Sequence, residues 1–290
     1  MIVAGKLIKM IINDDIITSR QNETVVKAAG LREKKYRDMH RLFLTDGIKL
    51  FYEAVESRAP IETIFLREDA SARLLAIVTD KIADLSDYAQ TRVVVLSESA
   101  FNKITVERSP EGIICIINYL DILHKYIKIE EDYATSIDPD EKIMLLSSIR
   151  DPGNMGTIIR SAVAFGIDRL ILSSDCADIH TQRTVRGAMG ALFKQKLDIV
   201  DDIKGAILSL KAQGRRIFAA APHSSGYSLD RFQMRASDCI IIGNEANGIP
   251  PDIMQIANSG LIIPIRDDSE SLNASVAASV FMWVLSQTSR

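Results

Sequence analysis

Apolar residues come in short blocks along this chain, and the polar stretches between the blocks carry their own apolar positions at helical spacing. Residues 17–41 are polar and helix-prone, Leu42-Phe43-Leu44 is a short apolar run, Asp46-Gly47 signals a turn, and residues 48–57 place apolar side chains three and four apart. Thr63-Ile64-Phe65-Leu66, Arg92-Val93-Val94-Val95-Leu96 and Gly112-Ile113-Ile114-Cys115-Ile116-Ile117 read as strands, with helical patterns at 70–80 and 98–103 between them. These elements predict an α/β domain ending near Tyr119. Residues 121–140 are rich in Asp, Glu and Lys and lose periodicity, which predicts a linker or a bridging helix. Beyond them strands are expected at 142–149, 169–173, 216–221, 238–243 and 260–265, and helices at 156–165, 183–193, 203–212 and 272–285. That alternation predicts a mostly parallel sheet, and strands that are almost continuously apolar predict burial on both faces. The expected division is a smaller N-terminal domain at 1–125, a linker at 126–140 and a C-terminal domain at 141–290.

Composition narrows the possibilities. A chain of 290 residues suits two domains at roughly 150 residues each, and 47% hydrophobic with 25% charged residues is the balance of a folded globular protein. Lys and Arg total 35 against 38 Asp and Glu, so there is no global basic field and any nucleic-acid contact must use local patches. The most basic segment holds Arg32, Lys34, Lys35, Arg37 and Arg41 against Glu33 and Asp38, which reads either as a solvated helix face or as a phosphate-binding surface. Cys115, Cys176 and Cys239 are odd in number and far apart, which argues against a disulfide framework and for a reducing, cytoplasmic setting. Lys6 and Lys9 interrupt the apolar start of the chain, so no secretion signal is read there. The uncharged stretch 271–289 contains several serines, Asn273, Gln287 and Thr288, which makes it a poor membrane span and a better buried helix. His40, His124, His180 and His223 have no metal-ligand spacing with one another or with the cysteines, so no bound metal is expected. Neither a dinucleotide-binding glycine fingerprint nor a P-loop is present.

Ligands of open α/β sheets bind where loops leave the carboxyl ends of the strands, and three such loops are unusual. The first, Arg150-Asp151-Pro152-Gly153-Asn154-Met155-Gly156, turns at Pro-Gly and offers Asn154 as a helix cap; Arg160 follows in the expected helix, where the dipole disfavours a cation and an anionic or electron-rich partner is implied. The second, Gly243-Asn244-Glu245-Ala246-Asn247-Gly248, has the glycines and asparagines that permit close ligand approach. The third runs from Ile263-Pro264 through a polar stretch to Ser271-Leu272-Asn273 at the start of the last helix, where Ser271 or Asn273 could be no more than the cap. Each alone also reads as an ordinary turn, and together they suggest one pocket.

At these loops the chain resembles the SpoU (TrmH) family of RNA 2′-O-methyltransferases, within the SPOUT superfamily. The first family motif is similar to Asp151-Pro152-Gly153-Asn154-Met155-Gly156-Thr157-Ile158-Ile159-Arg160 with Ala164-Phe165-Gly166, the second to Gly243-Asn244-Glu245-Ala246-Asn247-Gly248, and the third to Ile263-Pro264 with Ser271-Leu272-Asn273-Ala274-Ser275-Val276-Ala277. Val185-Arg186-Gly187-Ala188-Met189-Gly190-Ala191-Leu192-Phe193 is similar to the stretch between the first two motifs, so the likeness spans about 145–285. The N-terminal domain resembles the family's substrate-binding module, itself similar to a small ribosomal RNA-binding protein, through softer motifs at 41–50 and 109–114. Ala246, where many relatives carry glycine, and Asp46, where Glu is usual, are departures.

The resemblance implies a SPOUT domain with a parallel sheet and a deep trefoil knot, a homodimer, no metal, no membrane, and methyl transfer from S-adenosylmethionine to a ribose 2′-hydroxyl of structured RNA, ribosomal RNA foremost. A physical prior opposes a knot, so the knot rests on the motifs alone. Asn154, Arg160, Glu245, Ser271 and Asn273 match the catalytic positions; Gly243, Asn244, Gly248, Ile263, Leu272, Asn273 and Ala277 match cofactor positions. Arg32, Lys34, Lys35, Arg37, Arg41 and Arg186 are the expected RNA contacts. A transfer-RNA methyltransferase and a non-catalytic RNA-binding protein are the rival readings.

Overall fold

The computed structural model describes residues 11–12, 15–130, 132–221, 226–244, 246–266 and 271–288. Contacts divide the chain into two units, the first taking the residues up to Leu120 together with His180–Phe193, the second Asp121–Ile179 and Lys194 onward.

In the first unit β1 (Ile11–Ile12), α1 (Glu23–Gly30) and α2 (Lys34–His40) precede β2 (Leu42–Asp46) and α3 (Ile48–Glu56). They are followed by β3 (Ile61–Arg67), α4 (Ser71–Ile82), β4 (Arg92–Leu96), α5 (Glu98–Ile104) and β5 (Ile113–Asn118). The sheet order is β1-β4-β3-β5-β2, with β2 and β3 antiparallel to β5 and the remaining pairs parallel. Phe65, Val94, Ile114 and Ile116 on the sheet pack against Val25, Ala28, Ala100 and Phe101 of α1 and α5.

The second unit contains β6 (His124–Ile127), β7 (Ile143–Leu146), α6 (Pro152–Ala164) and β8 (Arg169–Ser173). The chain then visits the first unit through α7 (Gln182–Ala188). It returns with β9 (Lys196–Val200), α8 (Ile203–Ala212), β10 (Ile217–Ala220), β11 (Tyr227–Ser228), β12 (Cys239–Ile242), α9 (Pro251–Ile256), β13 (Ser259–Ile262) and α10 (Ala274–Ser286). All eight strands pair in parallel in the order β11-β13-β10-β12-β7-β8-β9-β6. Strands β7, β8 and β12 are buried along their whole length, as the unbroken apolar runs require. From β7 the chain steps one way to β8 and β9, and β12, β10 and β13 lie on the other side, so direction reverses beside β7.

Several expectations meet a different structure. Residues 126–140 do not form a bare tether: β6 pairs with β9, and a single 3-10 turn at Tyr133–Ser136 buries Tyr133 and Ala134 in the core. The charged composition there marks an edge strand, with His124 buried and Lys125 and Tyr126 exposed. Strand β9 was hidden by Asp198 in its middle, which is buried against Arg169 (2.8 Å) and the Tyr133 hydroxyl (2.8 Å). The helix expected at 183–193 stops at Ala188 because Met189 and Gly190 both take positive φ.

Candidate functional site

The loops after β7, β12 and β13 come together in the second unit. After β12 the chain folds back on itself: the Asn244 N–H donates to the Gly248 carbonyl (3.0 Å) and the Gly248 N–H donates to Asn244 (2.9 Å). Asn244 Oδ1 accepts from the N–H groups of Ala246 (2.9 Å) and Asn247 (3.1 Å), and its Nδ2 donates to the Ser148 carbonyl (2.9 Å). Glycine at 243 has a steric reason, since a β-carbon would stand 2.5 Å from the Gly248 carbonyl group. Gly248 closes the turn at φ +66°.

After β7, Asp151 caps α6 by accepting from the Asn154 N–H (2.8 Å), and Pro152 occupies the first helical position. This differs from the expectation that Asn154 is the cap, and it leaves the Asn154 side chain for another use. Its Oδ1 accepts from Asn273 Nδ2 (3.1 Å). Asn273 in turn caps α10, accepting from the N–H groups of Ser275 (2.9 Å) and Val276 (3.4 Å). One asparagine pair thus ties the starts of α6 and α10, and Ser279 donating to Ser161 (2.8 Å) repeats the tie further along.

Beside this junction, at the ends of β10, β12 and β13, lies a cleft of about 620 Å³. Gly243, Asn244 and Gly248 form one rim, Ile263, Ser271 and Leu272 another, and Ala277 and Phe281 of α10 with Met254 of α9 supply apolar wall. The cleft's described lining carries no charged side chain and offers shape, apolar contact and backbone groups. Burial pushes the Cys176 and Cys239 thiols up to about 11, which keeps both from serving as thiolate nucleophiles near neutral pH.

Seven of the expected residues, Gly243, Asn244, Gly248, Ile263, Ser271, Leu272 and Ala277, share this cleft. Asn154 and Asn273 are paired to each other. Glu245 lies outside the described residues. Arg160 is exposed, is not part of the cleft wall, and has no protein partner among the described residues. It is the ninth residue of α6, in the third turn, so the dipole argument for an anionic partner does not apply to it. Met254, Phe281, Ala220 and Ala221 also line the cleft and were not anticipated. Ala220 and Ala221 were signalled by the carboxyl end of their strand, and Phe281 by its spacing of four and seven from Ala277 and Ala274.

The expected RNA contacts all lie in the first unit and have diverse surroundings. Arg37 is a correction: it is 3% exposed, and its guanidinium donates to the carbonyls of Leu31 (2.9 Å) and Arg32 (2.6 Å), bracing the end of α1. Arg32 spends one nitrogen on the carbonyls of Ile104 (3.1 Å) and Thr105 (2.6 Å). Lys34 pairs with Asp38 at 3.1 Å, Arg41 lies 4.7 Å above the Tyr119 ring, and Arg186 pairs with Glu107. Lys35 is exposed.

Residues 141–283 match the model of the SpoU rRNA methylase family, and residues 22–115 match an MRM3-like substrate binding domain. The 23S rRNA (guanosine(2553)-2′-O)-methyltransferase RlmP of Bacillus subtilis is 28% identical over 269 residues, covering 93% of this chain and 98% of its own length. Human mitochondrial rRNA methyltransferase 3 is 22% identical, covering 90% of this chain and 70% of its own. Among solved structures, an AdoMet-bound rRNA methyltransferase from Sinorhizobium meliloti superposes with a TM-score of 0.75 at 25% identity, covering 93% of this chain and 97% of that one.

Proposed function

The chain belongs to the SpoU family of S-adenosylmethionine-dependent RNA 2′-O-methyltransferases, and from that premise we propose how its residues divide the work on ribosomal RNA. The observation that carries the reading is the cleft at the carboxyl ends of β10, β12 and β13, closed on one side by the folded-back 243–248 loop. Its volume and apolar walls suit a nucleoside, and its described lining holds no cation that would repel a sulfonium. Gly243, Asn244, Gly248, Ile263, Leu272 and Ala277 would hold S-adenosylmethionine, which supplies an electrophilic methyl group when bound.

This chain's part is to place a ribose hydroxyl and to accommodate the charge that develops on it. Asn154 and Asn273 hold one another and the two helix starts, so they orient the groups projecting from α6 and α10. Arg160 takes the RNA side: a guanidinium carries donors and no acceptor, so it orients phosphate and stabilises the developing alkoxide rather than serving as a base. Glu245 and Ser271 complete the set by family position, and Arg32, Lys34, Lys35, Arg41 and Arg186 are offered as RNA contacts of the first unit.

Three further features belong to this reading. The deep trefoil knot is supported by family membership and by α10 returning to pack against α6. A homodimer is supported by an apolar stripe on α10, where Val276 is 48% and Trp283 54% exposed beside half-buried Val280 and Val284. A cytoplasmic setting is part of the same reading, supported by Cys115, Cys176 and Cys239 all being free thiols. Incubation of the purified chain with S-adenosylmethionine and separate pools of ribosomal and transfer RNA, followed by mapping of 2′-O-methyl groups, tests the substrate. A modified site in ribosomal RNA is expected; modification of transfer RNA alone overturns the ribosomal assignment.

A further inference from the structure

Asp175 belongs to none of the three motif loops, yet hydrogen bonds converge on it. Its Oδ2 accepts from Ser148 Oγ (2.6 Å) and from the Arg150 guanidinium (3.2 Å), and its Oδ1 accepts from Ser173 Oγ (2.6 Å). Although burial pushes its carboxyl up, the bonds from Ser148, Ser173 and Arg150 outweigh that and hold it below the ordinary carboxylate range. Ser148, which follows β7, adopts φ +58°, a conformation that non-glycine residues rarely take. The backbone of Ser148 is held at both ends. Its N–H donates to Ser173 Oγ (2.9 Å), and its carbonyl accepts from Asn244 Nδ2 (2.9 Å), the residue whose Oδ1 organises the 243–248 loop.

We propose that Asp175 is a positioning residue for cofactor binding, which acts by holding Ser148 in its left-handed conformation so that the Ser148 carbonyl anchors Asn244 and the loop that rims the cleft. The proposal rests on the reading that this cleft takes S-adenosylmethionine. Without the carboxylate, the Ser148 hydroxyl and the Ser173 hydroxyl that holds the Ser148 N–H both lose their anchor, so Ser148 relaxes toward negative φ and its carbonyl turns away from Asn244. The amide of Asn244 then loses its acceptor, and the rim loses its tie to the end of β7. Arg150 reaches the same Oδ2 as Ser148, but its guanidinium carries only donors and so cannot accept the Ser148 hydroxyl proton in the carboxylate's place.

Glycine supplies the discriminating test, because it takes positive φ without the steric cost. Calorimetric titration with S-adenosylmethionine is carried out on the wild type, Asp175→Ala, Ser148→Gly and the double variant, each with a thermal melt. Loss of a charge-assisted bond predicts that Asp175→Ala weakens cofactor binding about tenfold in the wild-type background. In the Ser148→Gly background the same change costs less than about threefold, since the backbone no longer depends on the carboxylate. Asp175→Ala binding within about twofold of wild type, or an equal loss in both backgrounds, overturns the proposal, because a merely structural carboxylate lowers the melting temperature without coupling to residue 148. If Asp175→Ala does not fold, Asp175→Asn is compared in the same two backgrounds; a smaller loss in the Ser148→Gly background supports the proposal and equal losses overturn it. A wild-type chain that binds no S-adenosylmethionine overturns the reading beneath the proposal, whereas a wild type that binds and an Asp175→Ala that binds equally overturns the proposal alone.

Discussion

Single side chains in this protein are decided by whether a partner is within reach. Arg37 and Arg160 are both arginines on short stretches of helix, but carbonyls at the end of α1 consume the first while the second remains exposed. Arg160→Ala is therefore expected to abolish methyl transfer while leaving S-adenosylmethionine affinity within a few-fold; near-normal turnover in a methyl-incorporation assay removes Arg160 from the RNA side. Asp46, at the end of β2, shows the opposite balance. Burial raises its pKa from 3.8 to about 6, against the hydrogen bond donated by Thr105, and its Oδ1 is buried with no hydrogen-bond partner among the described residues. Because the folded value lies above the unfolded one, the folded chain binds this proton more tightly, so the group costs stability in full above pH 6 and the cost fades as pH falls from 6 toward 4. Asp46→Asn should stabilise the chain at pH 7.5 by about 1–2 kcal/mol, and denaturant melts should show the gain shrinking by pH 4.5.

At the scale of elements, helix starts carry the site. Asn273 caps α10 and donates to Asn154, so it serves the helix and the junction together. Asn273→Ala should cost about 1 kcal/mol in thermal stability from the lost cap, and turnover should fall by more than that stability change explains because the Asn154 tie goes with it. Kinetics and melting curves on the same preparation separate the two. Buried charges follow a different rule. Arg169, on β8, reaches Glu141 (2.7 Å) and Asp198 (2.8 Å), and Lys196 adds a bond to Glu141 (2.8 Å), so the buried charges here pair with one another, while Asp198 Oδ1 has no hydrogen-bond partner among the described residues. Burial pushes the Tyr133 hydroxyl up, and its bond to Asp198 keeps it a donor in that group.

For the whole molecule, the segment His180–Phe193 makes the first unit discontinuous. His180 stacks on Tyr119 at 4.0 Å and lies 4.9 Å from Phe43, and Phe193 closes on the same ring at 6.5 Å. A fragment ending at residue 125 leaves Phe43 and Tyr119 without that cover, so it should lack a cooperative thermal transition; a sharp transition in calorimetry shows that the segment is dispensable for the unit. The proposed dimer concerns the other unit. Trp283→Asp should shift sedimentation at micromolar concentration from dimer to monomer with the helical circular dichroism retained, and an unchanged dimer moves the interface away from the exposed stripe of α10.

Much of this was legible without coordinates, for a local reason. Strands such as Arg92–Leu96 and Arg169–Ser173 and the helix Ile203–Ala212 are set by patterns within a few residues, and the 243–248 loop by glycines whose backbone no other residue matches. Charged residues inside elements were not legible, because a buried ion looks like a solvated one until its partner is known. Asp198 hid β9 until Arg169 and Tyr133 were seen beside it, and acidic neighbours hid β6 until β9 was there to pair with it. The use of Arg37 as a brace and of Ser148 as an anchor likewise depends on groups brought close by folding. The sequence by itself determined the apolar strands, the amphipathic helices and the tight loops, since those follow from short-range pattern and backbone sterics. Only the tertiary structure decided which polar groups are consumed internally and which stay exposed, because that is settled by distances between residues far apart along the chain.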